Sequence, residues 1–152
     1  MNRRDAFKKI GFASLALTTT GILIPSVANS QEQTTDRLII NRKRMSFANP
    51  EHPTDFELKH TPDISFLETD NKGFTKVKIH IGSKGIIHPT EKNHWIDYMK
   101  IYNNDKLVAF TKFENGSIRG YAEHFIKLVK NDVIKVEVGC NIHGIWNNTA
   151  TY

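Results

Sequence analysis

One thiol and seven histidines are the residues of this chain best suited to bind a metal. Cys140-Asn141-Ile142-His143 places a soft thiolate and an imidazole three residues apart. A tight turn can aim both at one ion. Gly144 follows and lets the backbone turn sharply. His88 and His94 bracket the loop His88-Pro89-Thr90-Glu91-Lys92-Asn93-His94, and His60 stands just before Thr61-Pro62. All four of these histidines fall at predicted loop–strand junctions. Such junctions gather at one end of a sandwich, where sites are commonly built. His80 shares a polar strand face with Lys76 and Lys78 and reads as solvent-facing. His52 and His124 read as non-ligands.

Ligand number and softness narrow the metal. Four imidazoles and one thiolate are one too many for a tetrahedral structural zinc. A blue-copper site takes two His, one Cys and an axial Met. No Met follows His143, and Met99 would have to serve from a distant strand. There is no Cys-x-x-Cys-His haem attachment sequence. Five N/S donors with one open octahedral position suit a redox-active mononuclear iron. On the residues alone, two other classes stay open. One is an exported cupredoxin-like or iron electron carrier without catalysis; the other is a metal-free binding module.

The elements that must hold these side chains read as short strands. Val77, Ile79 and Ile81 fall on one face of Phe74 to Gly82, and Lys76, Lys78 and His80 on the other. Asp63 to Glu68, Trp95 to Tyr102, Lys106 to Phe113 and Val133 to Gly139 read as further strands. In the last of these, Ile134, Val136 and Val138 share a face that Cys140 continues inward. Tyr121 to Val129 fits helical spacing almost as well, but its Phe, Ile and Val content favours strand. Asp70 to Gly73, Asn103 to Asp105, Asn115-Gly116 and Lys130 to Asp132 punctuate the runs as turns. Asn41 to Thr61 holds two prolines and little periodicity, and reads as irregular. The predicted fold class is all-β, an antiparallel β-sandwich of about seven strands.

Length, charge and the N-terminus bound the rest. At 152 residues the chain holds one domain. A single cysteine excludes an intramolecular disulfide. Arg3, Arg4, Lys8 and Lys9 precede an uncharged run from Ile10 to Ile24, which is short for a membrane span. Ala28-Asn29-Ser30 offers small residues for cleavage before Gln31, and Arg3-Arg4 with Phe7 and Lys8 resembles a twin-arginine export signal. The expected organisation is a signal peptide at 1–30, an irregular lead-in at 31–56 and a metal-binding domain at 57–152. The expected location is periplasmic, with an uncleaved membrane anchor as the alternative. Without residues 1–30, Lys and Arg fall from 21 to 17 and Asp and Glu from 16 to 15, so the net charge drops from +5 to +2. That balance gives no argument for a nucleic-acid partner.

Three segments together resemble the superoxide reductase family of desulfoferrodoxin and neelaredoxin type. They are Lys59-His60-Thr61-Pro62, His88-Pro89 through His94-Trp95-Ile96, and Cys140-Asn141-Ile142-His143-Gly144-Ile145-Trp146. The resemblance covers roughly residues 57 to 146. It implies an immunoglobulin-like sandwich and one mononuclear iron, held by His60, His88, His94 and His143 in the equatorial plane and by axial Cys140. It implies one-electron reduction of superoxide to hydrogen peroxide. It also implies a small redox donor such as rubredoxin, and a homodimer or homotetramer. Lys59 would draw in the superoxide anion and help stabilise or protonate bound peroxide. Backbone N–H groups of Ile142 and His143 would tune the sulfur. The family's additional rubredoxin-like domain needs four cysteines, so this chain resembles the one-iron class. Family members often carry Glu-Lys-His, whose Glu caps the sixth iron position; here Leu58 stands at that place and Glu57 one residue earlier.

Overall fold

The computed structural model describes residues 38–152. The expected signal peptide lies outside these residues. Seven strands follow one short helix: α1 (Asp55–His60), β1 (Pro62–Thr69), β2 (Phe74–Ile81), β3 (Ile96–Asn103), β4 (Lys106–Lys112), β5 (Tyr121–Lys127), β6 (Val133–Cys140) and β7 (Gly144–Thr151). They form two antiparallel sheets, ordered β1-β2-β5 and β4-β3-β6-β7. This is the immunoglobulin-like sandwich expected from the sequence.

Alternation builds the core. Val77, Ile79 and Ile81 of β2 face Met99 and Ile101 of β3 and Ile134, Val136 and Val138 of β6 across the sandwich, all at 2% exposure or less. Burying a side chain of this size stabilises the fold by about 1.5–3 kcal/mol. Cys140 continues the inward face of β6 and is fully buried. The β3–β4 hairpin turns through Asn104 and Asp105, both at positive φ (47° and 64°). Two successive positive φ values match the right-handed twist of the flanking strands, and Asn and Asp tolerate them best after Gly.

Two elements depart from the sequence reading. The stretch read as irregular ends in helix α1, so the boundary at residue 56 cuts through an element and His60 ends a helix rather than sitting in a loop. The helix starts on a capping box: the Thr54 hydroxyl accepts from the Glu57 N–H, and the Glu57 carboxylate accepts from the Thr54 N–H. The second is β7, whose Asn- and Thr-rich residues show little apolar pattern. It forms because every residue from Gly144 to Thr151 has a register partner on β6. The ambiguous segment resolves as strand over Tyr121–Lys127.

Candidate metal centre

The five residues picked out by type and spacing converge at one end of the sandwich. His60 is the last residue of α1; its Nδ1–H donates to the Phe56 carbonyl at 2.6 Å, so Nε2 carries the free lone pair. His88 repeats this arrangement from the β2–β3 connection. Its Nδ1–H donates to the Pro89 carbonyl at 2.7 Å, and its Nε2 is buried with no protein partner. An imidazole nitrogen buried without a partner is costly unless something outside the chain satisfies it. His94 is held in a tight turn by paired backbone hydrogen bonds with Glu91.

Cys140 ends β6, and His143 is the last residue of the three-residue turn into β7. The donor atoms of His60, His88, His94 and Cys140 all lie within 4.8 Å of one another. His143 Nδ1 completes the set, at 3.0 Å from His60 Nε2, 3.1 Å from His94 Nε2 and 3.7 Å from Cys140 Sγ. Three imidazoles thus present Nε2 and one presents Nδ1, beside a single thiol. This donor set fits an iron: imidazole suits it, and a thiolate adds a strongly donating fifth ligand. The structure thus brings His60, His88, His94, Cys140 and His143 together. Half-buried His80 pairs instead with Asp63, and exposed His52 and half-buried His124 stand outside the cluster.

Burial tunes the donors. It pulls His88 down to about 3, with the charges of His60 and His94 adding to the effect. It pulls His60 and His94 down to about 4, and lowers His143 as well. All four rings are therefore neutral at pH 7 and ready to donate lone pairs. Burial pushes the Cys140 thiol up, opposed by hydrogen bonds from the backbone N–H groups of Ile142 and His143. A metal that takes the thiolate must displace that proton.

Aromatic rings and one lysine surround the cluster. Phe56 packs its ring 4.7 Å from His60 and 4.9 Å from His143. Trp146 stacks on His60 at 5.1 Å, and its indole N–H donates to the His143 carbonyl. Lys59 Nζ lies 5.7 Å from the centre of the Phe56 ring, and its charge reaches all four histidines and Cys140. The sequence reading passed over Phe56, although it stands four residues, one helical turn, before His60. Glu57 does not reach out towards the cluster. It is buried, with Oε1 accepting from the Ala48 N–H and Oε2 from the Thr54 N–H and hydroxyl. Those bonds, the backbone ones first, hold its carboxyl below the usual range. Leu58 beside it is buried and apolar.

Comparison with known proteins agrees with this geometry. Residues 52–149 match the family model described as desulfoferrodoxin. A protein from Methanocaldococcus jannaschii is 34% identical over 100 residues, covering 61% of this chain and 81% of the relative. A superoxide reductase from Pyrococcus abyssi is 29% identical over 99 residues, 59% of this chain and 84% of the relative. A solved structure from Pyrococcus horikoshii superposes with a TM-score of 0.54 at 29% identity, covering 64% of this chain and 91% of that one. With the match spanning most of the folded chain and taking in every donor of the cluster, this protein belongs to the desulfoferrodoxin family.

Proposed function

We propose that the protein is a superoxide reductase whose single iron is held by His60, His88, His94, His143 and Cys140. The observation that carries this reading is the convergence of four imidazole nitrogens and one thiol sulfur on one buried point. An iron held by these five residues would supply, from its ferrous state, the one electron that with two protons converts superoxide to hydrogen peroxide. The chain's own residues do the rest. His60 and His88 are locked in one tautomer by the Phe56 and Pro89 carbonyls, which keeps each Nε2 lone pair aimed inward. Phe56 and Trp146 cover ring faces of His60 and shield them from water. The Lys59 ammonium, beside Phe56, attracts the superoxide anion and stabilises negative charge at the open face. The Glu57 carboxylate is instead turned to the Ala48 N–H and to the N–H and hydroxyl of Thr54.

A quantified pulse of superoxide given to the reduced, iron-loaded protein tests the activity. A reductase yields one hydrogen peroxide per superoxide consumed. A yield of one half, with oxygen evolved, would mean dismutation and overturn the reading. An electron carrier without catalysis would leave superoxide decay at its spontaneous rate. The Arg3-Arg4 segment supports export by the twin-arginine route to the periplasm, which the loss of export in Arg3→Lys/Arg4→Lys would test. A small redox protein as donor, and assembly as a dimer or tetramer, complete the proposal.

A further inference from the structure

We propose that residues 38–48 form a strap that positions the metal ligands, with Asn141 as the residue through which it acts. This segment lies ahead of the residues matched to the family, 52–149. It runs beside the ligand turn and is tied to it at both backbone and side-chain level. The N–H groups of Ile40 and Asn41 both donate to the Asn141 carbonyl, at 2.8 and 3.2 Å. Further on, the Ile145 N–H donates to the Lys43 carbonyl and the Met45 N–H to the Ile145 carbonyl, each at 2.8 Å, making a parallel bridge between Arg44 and Ile145. The approach is close enough to dictate a residue type. At Gly144, φ is +86°, and an added Cβ would stand 2.5 Å from the Lys43 carbonyl oxygen.

Asn141 joins three segments at once. It sits between Cys140 and His143 and is fully buried. Its Oδ1 accepts from the Trp95 N–H at 3.0 Å, and its Nδ2 donates to the carbonyls of Asn93 (2.9 Å) and Leu38 (3.1 Å). Asn93 and Trp95 are the two neighbours of His94. One amide therefore fixes the Cys140–His143 turn against the His94 turn and pins the strap across both. Two ion pairs clamp the strap from outside. Arg42 meets the buried carboxylate of Asp97 and Arg44 that of Glu137, at 2.7 Å for the second. At its far end the Ala48 N–H donates to Glu57, in the helix that carries His60. The strap thus touches the supports of His60, His94, Cys140 and His143, while none of its own atoms is a donor to the cluster. Asn141 is a positioning residue, and its loss should loosen the thiolate without removing a ligand.

The inference rests on the metal-holding reading of the five donors, and cobalt(II) separates the two. The full chain is loaded with cobalt, its thiolate-to-cobalt absorption recorded, and release to a chelator timed. Arg42→Gln/Arg44→Gln, which removes both charges but leaves a side-chain amide facing each buried carboxylate, should release cobalt about 10-fold faster. The thiolate band should shift or weaken in the same variant. Asn141→Ala should exceed both effects; if it does not fold, the double variant decides. Lys135→Ala, which breaks the Lys135–Asp105 pair at the opposite end of the sandwich, should match the wild type in both readouts. Wild-type release and an unchanged band in the double variant would overturn the strap. A wild-type chain that takes up no cobalt would overturn the metal reading itself.

Discussion

Strands β3 and β6 run between two ends of the sandwich that treat their polar groups differently. At the end where β3 turns into β4, the turns bond to one another, and only Asn103 Oδ1 among these side chains is left buried without a partner. The Asp132 carboxylate accepts from the Val129 N–H and from the side-chain amides of Asn103 and Asn104, and Asn104 Oδ1 accepts from the Val133 N–H. At the other end, the Phe56 and Pro89 carbonyls occupy the outer nitrogens of His60 and His88, while the inner ones turn towards the other donors, His60 Nε2 lying 3.0 Å from His143 Nδ1 and His88 Nε2 having no protein partner. The first end uses its polar groups to close the fold. The second gathers imidazole nitrogens beside a thiol and leaves that of His88 buried and unpartnered, a cost that a bound cation would relieve. Local turn chemistry thus serves stability at one end and binding at the other.

Metal removal should separate the ends most strongly. With free metal about 1,000-fold above its dissociation constant, binding stabilises the fold by about 4 kcal/mol. A chelator should therefore lower the urea midpoint of the wild type, and it should lower that of Asp132→Asn by the same increment. An increment that vanished in Asp132→Asn would break the comparison.

Acid should then unmake the metal-stripped protein in two steps. His60, His88 and His94 sit near 3 to 4 in the fold and near 6.5 when unfolded. Between those values the unfolded chain binds protons that the native state does not, so stability falls as pH drops from about 6.5 to about 4. Asp132 has the opposite chemistry with the same outcome at lower pH. The Val129 N–H first, and then the Asn104 amide, hold its carboxyl below the ordinary value. Its contribution is present above about 3.9 and is lost as pH falls through the lower folded value. Asp132→Asn should remove part of the second step and leave the first, as read by midpoints across the pH range.

Lys59→Ala should slow the reaction with superoxide by about 10-fold at low ionic strength, with iron content unchanged and the difference shrinking as salt rises. An unchanged rate would end the role given to Lys59. The smallest effect belongs to the helix that delivers His60. Thr54→Ala removes half of the capping box and should cost about 1 kcal/mol in thermal or urea unfolding.

Much of this was legible in the sequence, for physical reasons. β2 shows itself because only one face of it is buried, so Val77, Ile79 and Ile81 alternate with Lys78 and His80. The clustered donors are legible because the Cys140–His143 pair, the His88–His94 pair and His60 occur together, where either pair alone has commoner uses. β7 was hidden because its stability comes from backbone pairing with β6 rather than from its own Asn and Thr side chains. Helix α1 is six residues long, too short for periodicity, although Thr54-x-x-Glu57 carried its cap. With the helix, Glu57 and Leu58 are about a quarter-turn apart rather than on opposite faces of a strand. The strap is defined mostly by contacts distant in the chain, from 55 residues for Arg42 with Asp97 to 103 for Leu38 with Asn141, and no local pattern announces those.

Iron stoichiometry and the visible spectrum of the oxidised protein, measured in the wild type and in Cys140→Ser after anaerobic loading with ferrous iron, test the metal centre most directly. The expected result is one iron per chain with a thiolate-to-ferric band, and loss of that band in Cys140→Ser. A wild-type chain that binds no iron, or a band that survives Cys140→Ser, would contradict the assignment of these five residues as ligands.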